Sequence, residues 1–123
     1  MHFTSGFILS FIFQLAHVVE EVETFSVPEN GDQMDDAWME HQLRTTSDFA
    51  QSNRLLTWFI GGLNYQVEHH LFPQICHVHY PALSRIVRET AREFGLPYNH
   101  HLRLGEAIRA HLNSLRHYAQ QPA

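Results

Sequence analysis

Two adjacent imidazoles, His69 and His70, follow Gln66 by three and four residues in the run from Asn64 to Pro73, NYQVEHHLFP. On a helix, positions i, i+3 and i+4 share one face, so the three side chains converge on one point. Neutral imidazole is the commonest metal ligand, and nitrogen donors suit zinc, copper, iron and nickel. A histidine pair on a wet surface is the plain alternative. Against it, an apolar run from Leu55 to Leu63 leads in and Leu71-Phe72-Pro73 leads out. Pro73 ends any helix begun near Tyr65, which keeps the ligand-bearing segment short.

The same residues resemble the third histidine box of the membrane fatty acid desaturases, in the variant that reads Q-x-x-H-H. The likeness extends to Trp58-Phe59-Ile60-Gly61-Gly62-Leu63 before the box and His77-Val78-His79-Tyr80-Pro81-Ala82-Leu83-Ser84 after it. His41-Gln42-Leu43-Arg44-Thr45-Thr46-Ser47-Asp48-Phe49-Ala50 is similar to the same branch, the acyl-lipid and linoleoyl-CoA (front-end) desaturases. Two earlier boxes of that family, H-x-x-x-H and H-x-x-H-H, have no counterpart here. The chain is therefore similar to the C-terminal third of a desaturase, and is expected to be a fragment of one.

Composition narrows the field. With 123 residues the chain holds at most one domain. Eleven histidines are far more than this length ordinarily carries. The single Cys76 excludes an internal disulfide and any cysteine-based zinc site. Lysine is absent, so every basic side chain besides histidine is arginine. Ten acids and two arginines precede His69, whereas three acids and six arginines follow Glu68. That positive tail suits a surface near anionic lipid headgroups. It is too dilute to argue for nucleic acid.

Taken in order, residues 1–24 read as the end of a membrane helix whose start is cut away. A span needs ~20 apolar residues, and Met1 to Val19 has no charge apart from its histidines. A signal peptide lacks support, having no basic start and no A-x-A-like cleavage site, while a buried core helix stays open. Glu20, Glu21 and Glu23 mark an exit into water. Residues 25–47 read as an acidic loop with a turn at Asn30-Gly31, and Ala37 to Thr46 is open between short helix and extended chain. Ser47 or Asp48 is expected to cap a helix with Phe49, Leu55, Leu56, Phe59 and Ile60 as its stripe. Pro81 suits the first turn of a helix. Leu83, Ile86, Val87, Ala91 and Phe94 form that helix's apolar face, and Gly95 and Pro97 stop it. A last helix from about Leu104 carries Ala107, Ile108, Leu112, Leu115 and Tyr118 as a stripe. Both amphipathic helices are expected to pack on each other and on the box, partly along a membrane surface. His100, His101, His111 and His117 read as surface or packing residues.

The fold class is thus all-α: a membrane-inserting helix, then a cytosolic helical cap, residues 48–123, bearing the box. The resemblance implies two iron ions, with His69 and His70 as ligands. By its placement near the helix end, His17 is similar to a further ligand. Gln66 stands where many relatives have a ligand histidine, binding metal directly or through water. Asn64, Glu68, His77 and His79 are expected to hydrogen-bond the ligands. The implied reaction puts a cis double bond into an acyl chain, on coenzyme A or on a glycerolipid, using dioxygen. Electrons come from a cytochrome b-type protein or a ferredoxin. Two other readings stand beside it: an inactive membrane-associated fragment that needs the missing part, and a histidine-rich metal-binding module.

Overall fold

The computed structural model describes residues 2–18 and 38–120. The expected acidic exit at Glu20 to Glu23 and the turn at Asn30-Gly31 lie outside them. Helices dominate: α1 (His2–His17), α2 (Trp38–Thr45), α3 (Arg54–Phe59), α4 (Gln66–Leu71), α5 (Tyr80–Glu93) and α6 (Leu104–Gln120). A short 3-10 helix, His77–His79, leads into α5. To this helical class the structure adds two short strands, β1 (Ser47–Phe49) and β2 (Asn99–His101), which pair in parallel with Asp48 opposite His100.

Apolar α1 is only partly covered. Ile12, Leu15 and Ala16 are buried near its C-terminal end, whereas Phe3 and Phe7 are 95% and 73% exposed. Sixteen residues at 1.5 Å each give about 24 Å. Among the described residues no helix is long and apolar enough to cross a membrane. The buried end of α1 meets Phe49, Ala50, Ile60 and Ala107 in one core cluster. A second cluster joins Leu43, Val67, Val87 and Ala91.

Local chemistry explains the element ends. The open segment before Thr46 is helical, as α2. Ser47 and Asp48 do not cap α3. They are drawn into β1, and Asn53 takes the cap instead, its Oδ1 accepting from Leu56 N at 3.0 Å. Pro73 stops α4 at Leu71. Pro81 sits in the first turn of α5 as expected. Its C-terminal end closes with Leu96 N donating to Ala91 O at 2.8 Å across Gly95, whose φ is +69°, the Schellman arrangement.

Which faces are buried differs from the simple apolar stripes. On α5 the buried residues are Tyr80, Ser84, Val87 and Ala91, while Ile86 and Phe94 face outward. On α6 they are Ala107, Ala110, His111 and Ser114, with Leu112, Leu115 and Tyr118 exposed. Small residues and one histidine face inward on α6 because α1 approaches closely, and His111 Nδ1 donates to Val18 O at 2.7 Å. The two helices also part company: α5 packs on α4, and α6 packs on α1 and β2.

Gly61-Gly62 turns the chain between α3 and α4. Both have positive φ, +63° and +78°. A Cβ at Gly62 would stand 2.6 Å from His77 Cβ, while one at Gly61 meets nothing within 4 Å. Gly61→Ala is therefore expected to cost about 1 kcal/mol for the left-handed backbone alone. Gly62→Ala adds a backbone-level clash and should cost at least about twice that. Urea denaturation of the two variants measures the difference; equal costs would mean that His77 yields freely.

Candidate functional site

α4 carries Gln66, His69 and His70 on one face, and α1 brings His17 to the same place. The His17 and His70 ring centroids are 4.9 Å apart, and those of His69 and His70 are 5.9 Å apart. Each Nδ1 is engaged, two of them from α2 and one from α5. His17 Nδ1 lies 3.3 Å from Thr45 O, His70 Nδ1 lies 2.7 Å from Gln42 Oε1, and His69 Nδ1 lies 3.4 Å from the Tyr80 hydroxyl. Carbonyl oxygens only accept, so His17 and His70 donate from Nδ1 and each neutral ring keeps a lone pair on Nε2. Burial, with His17 and His69 close by, holds His70 down to about 4. Its ring is thus neutral at ordinary pH, the form that binds metal.

Gln66 is fully buried, and neither its Oε1 nor its Nε2 has a hydrogen-bond partner among the described residues. Leaving buried polar atoms unmet costs about 1–3 kcal/mol each, so the amide is held ready for something that α4 itself does not supply. Among the described residues, no three His, Cys, Asp or Glu side chains close into a metal-binding group. The three histidines and Gln66 offer part of a donor set, not a complete one.

The other expected residues go elsewhere. Glu68 turns to the back of α4, where its Oε1 meets the Tyr98 hydroxyl at 3.0 Å, and it contacts no imidazole. Asn64 braces the turn, donating from Nδ2 to Thr57 Oγ1 at 2.9 Å and to Ala50 O at 3.4 Å. His77 and His79 lie exposed on the 3-10 helix and make no hydrogen bond through their rings among the described residues. For Glu68 the cause is local: consecutive residues on a helix point about 100° apart, so the neighbour of a ligand in sequence faces another way.

Behind α4 sits a buried polar knot. Asp48 is fully buried on β1. Its Oδ1 accepts from Val67 N at 2.8 Å, and its Oδ2 accepts from Tyr98 Oη at 2.5 Å and Gln51 Nε2 at 2.7 Å. Asp48 thus caps the first turn of α4 from outside the helix, because Tyr65 provides no side-chain cap. Burial, with Asp48 beside it, pushes Glu68 up to about 9. Burial pushes Asp48 up too, against the hydrogen bonds from Glu68, Tyr98 and Val67 that draw it down. Glu68 therefore holds a proton that it shares with the Asp48 carboxylate.

Comparison with known proteins agrees with this architecture of histidines. The fatty acid desaturase family model matches residues 1–102. The chain belongs to the fatty acid desaturase family. It is 42% identical over 122 residues to the sn-1 linoleoyl-lipid 6-desaturase of Arthrospira platensis, covering 99% of this chain and 33% of that protein. A Synechocystis protein of the same name is 46% identical over 97 residues, covering 79% of this chain and 27% of that one. The acyl-lipid (8-3)-desaturase of Physcomitrium patens is 45% identical over 112 residues, 91% and 23% of the two chains. The desaturase segment here thus spans a third or less of the length of these relatives. No solved structure matches it.

Sequence spacing missed Asp48, Tyr98 and Gln42, the residues that hold α4 and its rings. Asp48 and Gln42 lie inside the His41 to Ala50 stretch already similar to desaturases, which was the available signal. Tyr98 had none, being brought in from 30 residues away by the turn at Gly95.

Two results follow for the metal-free chain, kept so with a chelator. Asp48→Ala is expected to lower unfolding free energy by about 3 kcal/mol, since Val67 N–H, Tyr98 and Glu68 all lose a partner. Between about 4.5 and 9, Glu68 holds a proton in the fold and none when unfolded, so stability falls as pH rises. His70 acts oppositely below its ordinary value, where its neutral folded form loses out to a charged unfolded one. The clean window is therefore pH 6.5 to 9. Urea melts there should show declining stability that Glu68→Gln flattens; an unchanged slope would show that Glu68 is not the group.

Proposed function

We propose that this segment is the C-terminal part of a di-iron, membrane-bound desaturase that introduces a cis double bond into the acyl chain of a lipid. The observation that carries the proposal is the meeting of His17, His69 and His70 beside the unpartnered, buried amide of Gln66. Family membership and the acyl-lipid names of the relatives support the reaction and the substrate class. The bare apolar face of α1 supports insertion among lipid or other apolar helices, with the box at the cytosolic end.

His69 and His70 would be ligands through Nε2, with His17 beside them and Gln66 offering its amide oxygen. Two irons held there and by residues elsewhere in the enzyme would supply the oxidising power for an unactivated C–H bond, which side chains lack. The chain's own part is positioning. Thr45 O and Gln42 fix two imidazoles in the tautomer that frees Nε2, as partners behind metal-bound histidines do. The Tyr80 hydroxyl turns the third. In balance, the acyl chain loses two hydrogens, a carrier protein supplies two electrons in turn, water supplies two protons, and dioxygen leaves as two waters. The partial donor set favours a second statement within the same reading: residues 1–123 desaturate nothing until joined to the upstream boxes.

The test is a chimera in which residues 1–123 replace the matching end of the Synechocystis 6-desaturase, read by the fatty acid profile of a host lacking that enzyme. The chimera should desaturate and contain iron. His69→Ala or His70→Ala should each lower product at least 100-fold, and Gln42→Ala, acting through His70, about 10–100-fold. Full activity without His69 and His70 would end the reading, as would a folded chimera without iron.

A further inference from the structure

The outer face of α5 carries Arg85, Arg88 and Arg92 at i, i+3 and i+7, one stripe along the helix. All three are exposed. They line a shallow concavity of about 280 Å³ with a single acid, Glu89. Arg85 and Arg92 make no ion pair among the described residues. Arg88 is tethered, its Nη2 donating to Gln51 Oε1 at 2.7 Å and its guanidinium lying 5.1 Å from the Tyr98 ring centre. Three guanidiniums around one hollow, against a single carboxylate, leave a positive excess there that makes a site for anionic groups.

Where the stripe lies narrows the partner. α5 packs on α4, which bears His69 and His70. Packed helix axes stand about 8–10 Å apart, so a molecule seated on the stripe is one helix away from the imidazoles. A bonded route crosses that distance: Arg88 to Gln51, Gln51 to Tyr98 and Asp48, and Tyr98 to Glu68 on α4 itself. The bare apolar face of α1 belongs to a helix that packs on β1 and α6 rather than on α5. The arginine stripe therefore stands on a different helix from the one that offers lipid its bare apolar face.

We propose that the Arg85–Arg88–Arg92 stripe is the docking face for a small acidic one-electron carrier protein, which there delivers the electrons that desaturation consumes. This rests on the desaturase reading and adds to it the surface through which the carrier acts. Carboxylates on the carrier would meet Arg85 and Arg92, while tethered Arg88 fixes the register. Rim charges of this kind act chiefly on association rate and on salt dependence.

The experiment uses the active chimera described above, in nanodiscs, with plant-type ferredoxin as the acidic probe and with dithionite plus methyl viologen as a reductant that needs no docking. Arg85→Gln/Arg92→Gln should raise the ferredoxin concentration for half-maximal turnover at least tenfold and flatten its dependence on salt. Turnover with methyl viologen should stay within twofold, as should that of the control Arg109→Gln/Arg116→Gln on α6 with ferredoxin. If the α5 variant and the α6 control respond alike to ferredoxin, the docking face is wrong while the desaturase reading stands. A chimera inactive with both reductants fails the underlying reading instead. The competing occupant is an anionic membrane. If the α5 variant loses affinity for phosphatidylglycerol vesicles but keeps its response to ferredoxin, the stripe is a lipid contact and the proposal is overturned.

Discussion

A buried carboxylate cannot be left alone, and that constraint organises this molecule. Asp48 has no exposure to water, so its charge must be met by donors brought from the rest of the chain. They come from Val67 at the start of α4, from Tyr98 beyond α5 and from Gln51 just after β1. Meeting that demand ties three separate segments to one point: β1 with the turn after it, α4, and the stretch carrying Tyr98. It also explains the parallel pairing of β1 with β2, since Asp48 and the segment carrying Tyr98 and Asn99 must travel together. Loss of the carboxylate would leave several buried groups without partners at once.

The consequence for the site is a division of labour around a helix only six residues long. So short a helix is not stable alone in water. Val67 and Glu68 take the rear, in the core and the carboxyl knot. Gln66, His69 and His70 take the face toward α1 and α2. Because Thr45, Gln42 and Tyr80 meet the rings at Nδ1, the imidazoles are oriented without spending their Nε2 atoms. The Gln66 amide, with both its oxygen and its nitrogen unpaired among the described residues, lies on the same face as the two ring pairs. A fully buried side chain with every polar atom unpaired, set beside two imidazoles, is where outside chemistry is expected.

Much of this was legible in the residues, for identifiable reasons. Helix periodicity located α5 and α6, and Pro73, Pro81 and Gly95 marked the end of α4 and both ends of α5, because proline and glycine act on the backbone locally. Convergence of Gln66 with His69 and His70 followed from the 3.6-residue turn, again a local rule. What escaped was decided by contacts at long range. Ser47 and Asp48 look like caps in isolation, but pairing with residues 99–101 makes them a strand. The apolar stripes held at Val87, Ala91 and Ala107 but misled at Ile86, Phe94, Leu112, Leu115 and Tyr118, which turn outward while small Ser84 and Ala110 face in and allow close packing. Glu68 was sought among the histidines, and only the fold shows that Tyr98 waits on the other side.

The outward-turned residues are themselves informative. Single exposed apolar side chains are ordinary, whereas a contiguous apolar surface marks an interaction. Phe3, Phe7, Leu9 and Phe13 lie bare along α1, and a groove of about 330 Å³ runs from Ile8 and Leu9 to Phe59, Ile60 and Leu63. This surface ends where His17 begins the polar site. Under the proposed function this apolar face, which runs up to His17 through the stacked Phe13 ring, is the surface along which an acyl chain would lie. The arginine stripe on α5 lies across α4 from those imidazoles, on a helix that does not pack on α1. Substrate and electrons would then reach the same histidines from different elements, α1 bordering one approach and α5 the other, with α4 held between them by Asp48.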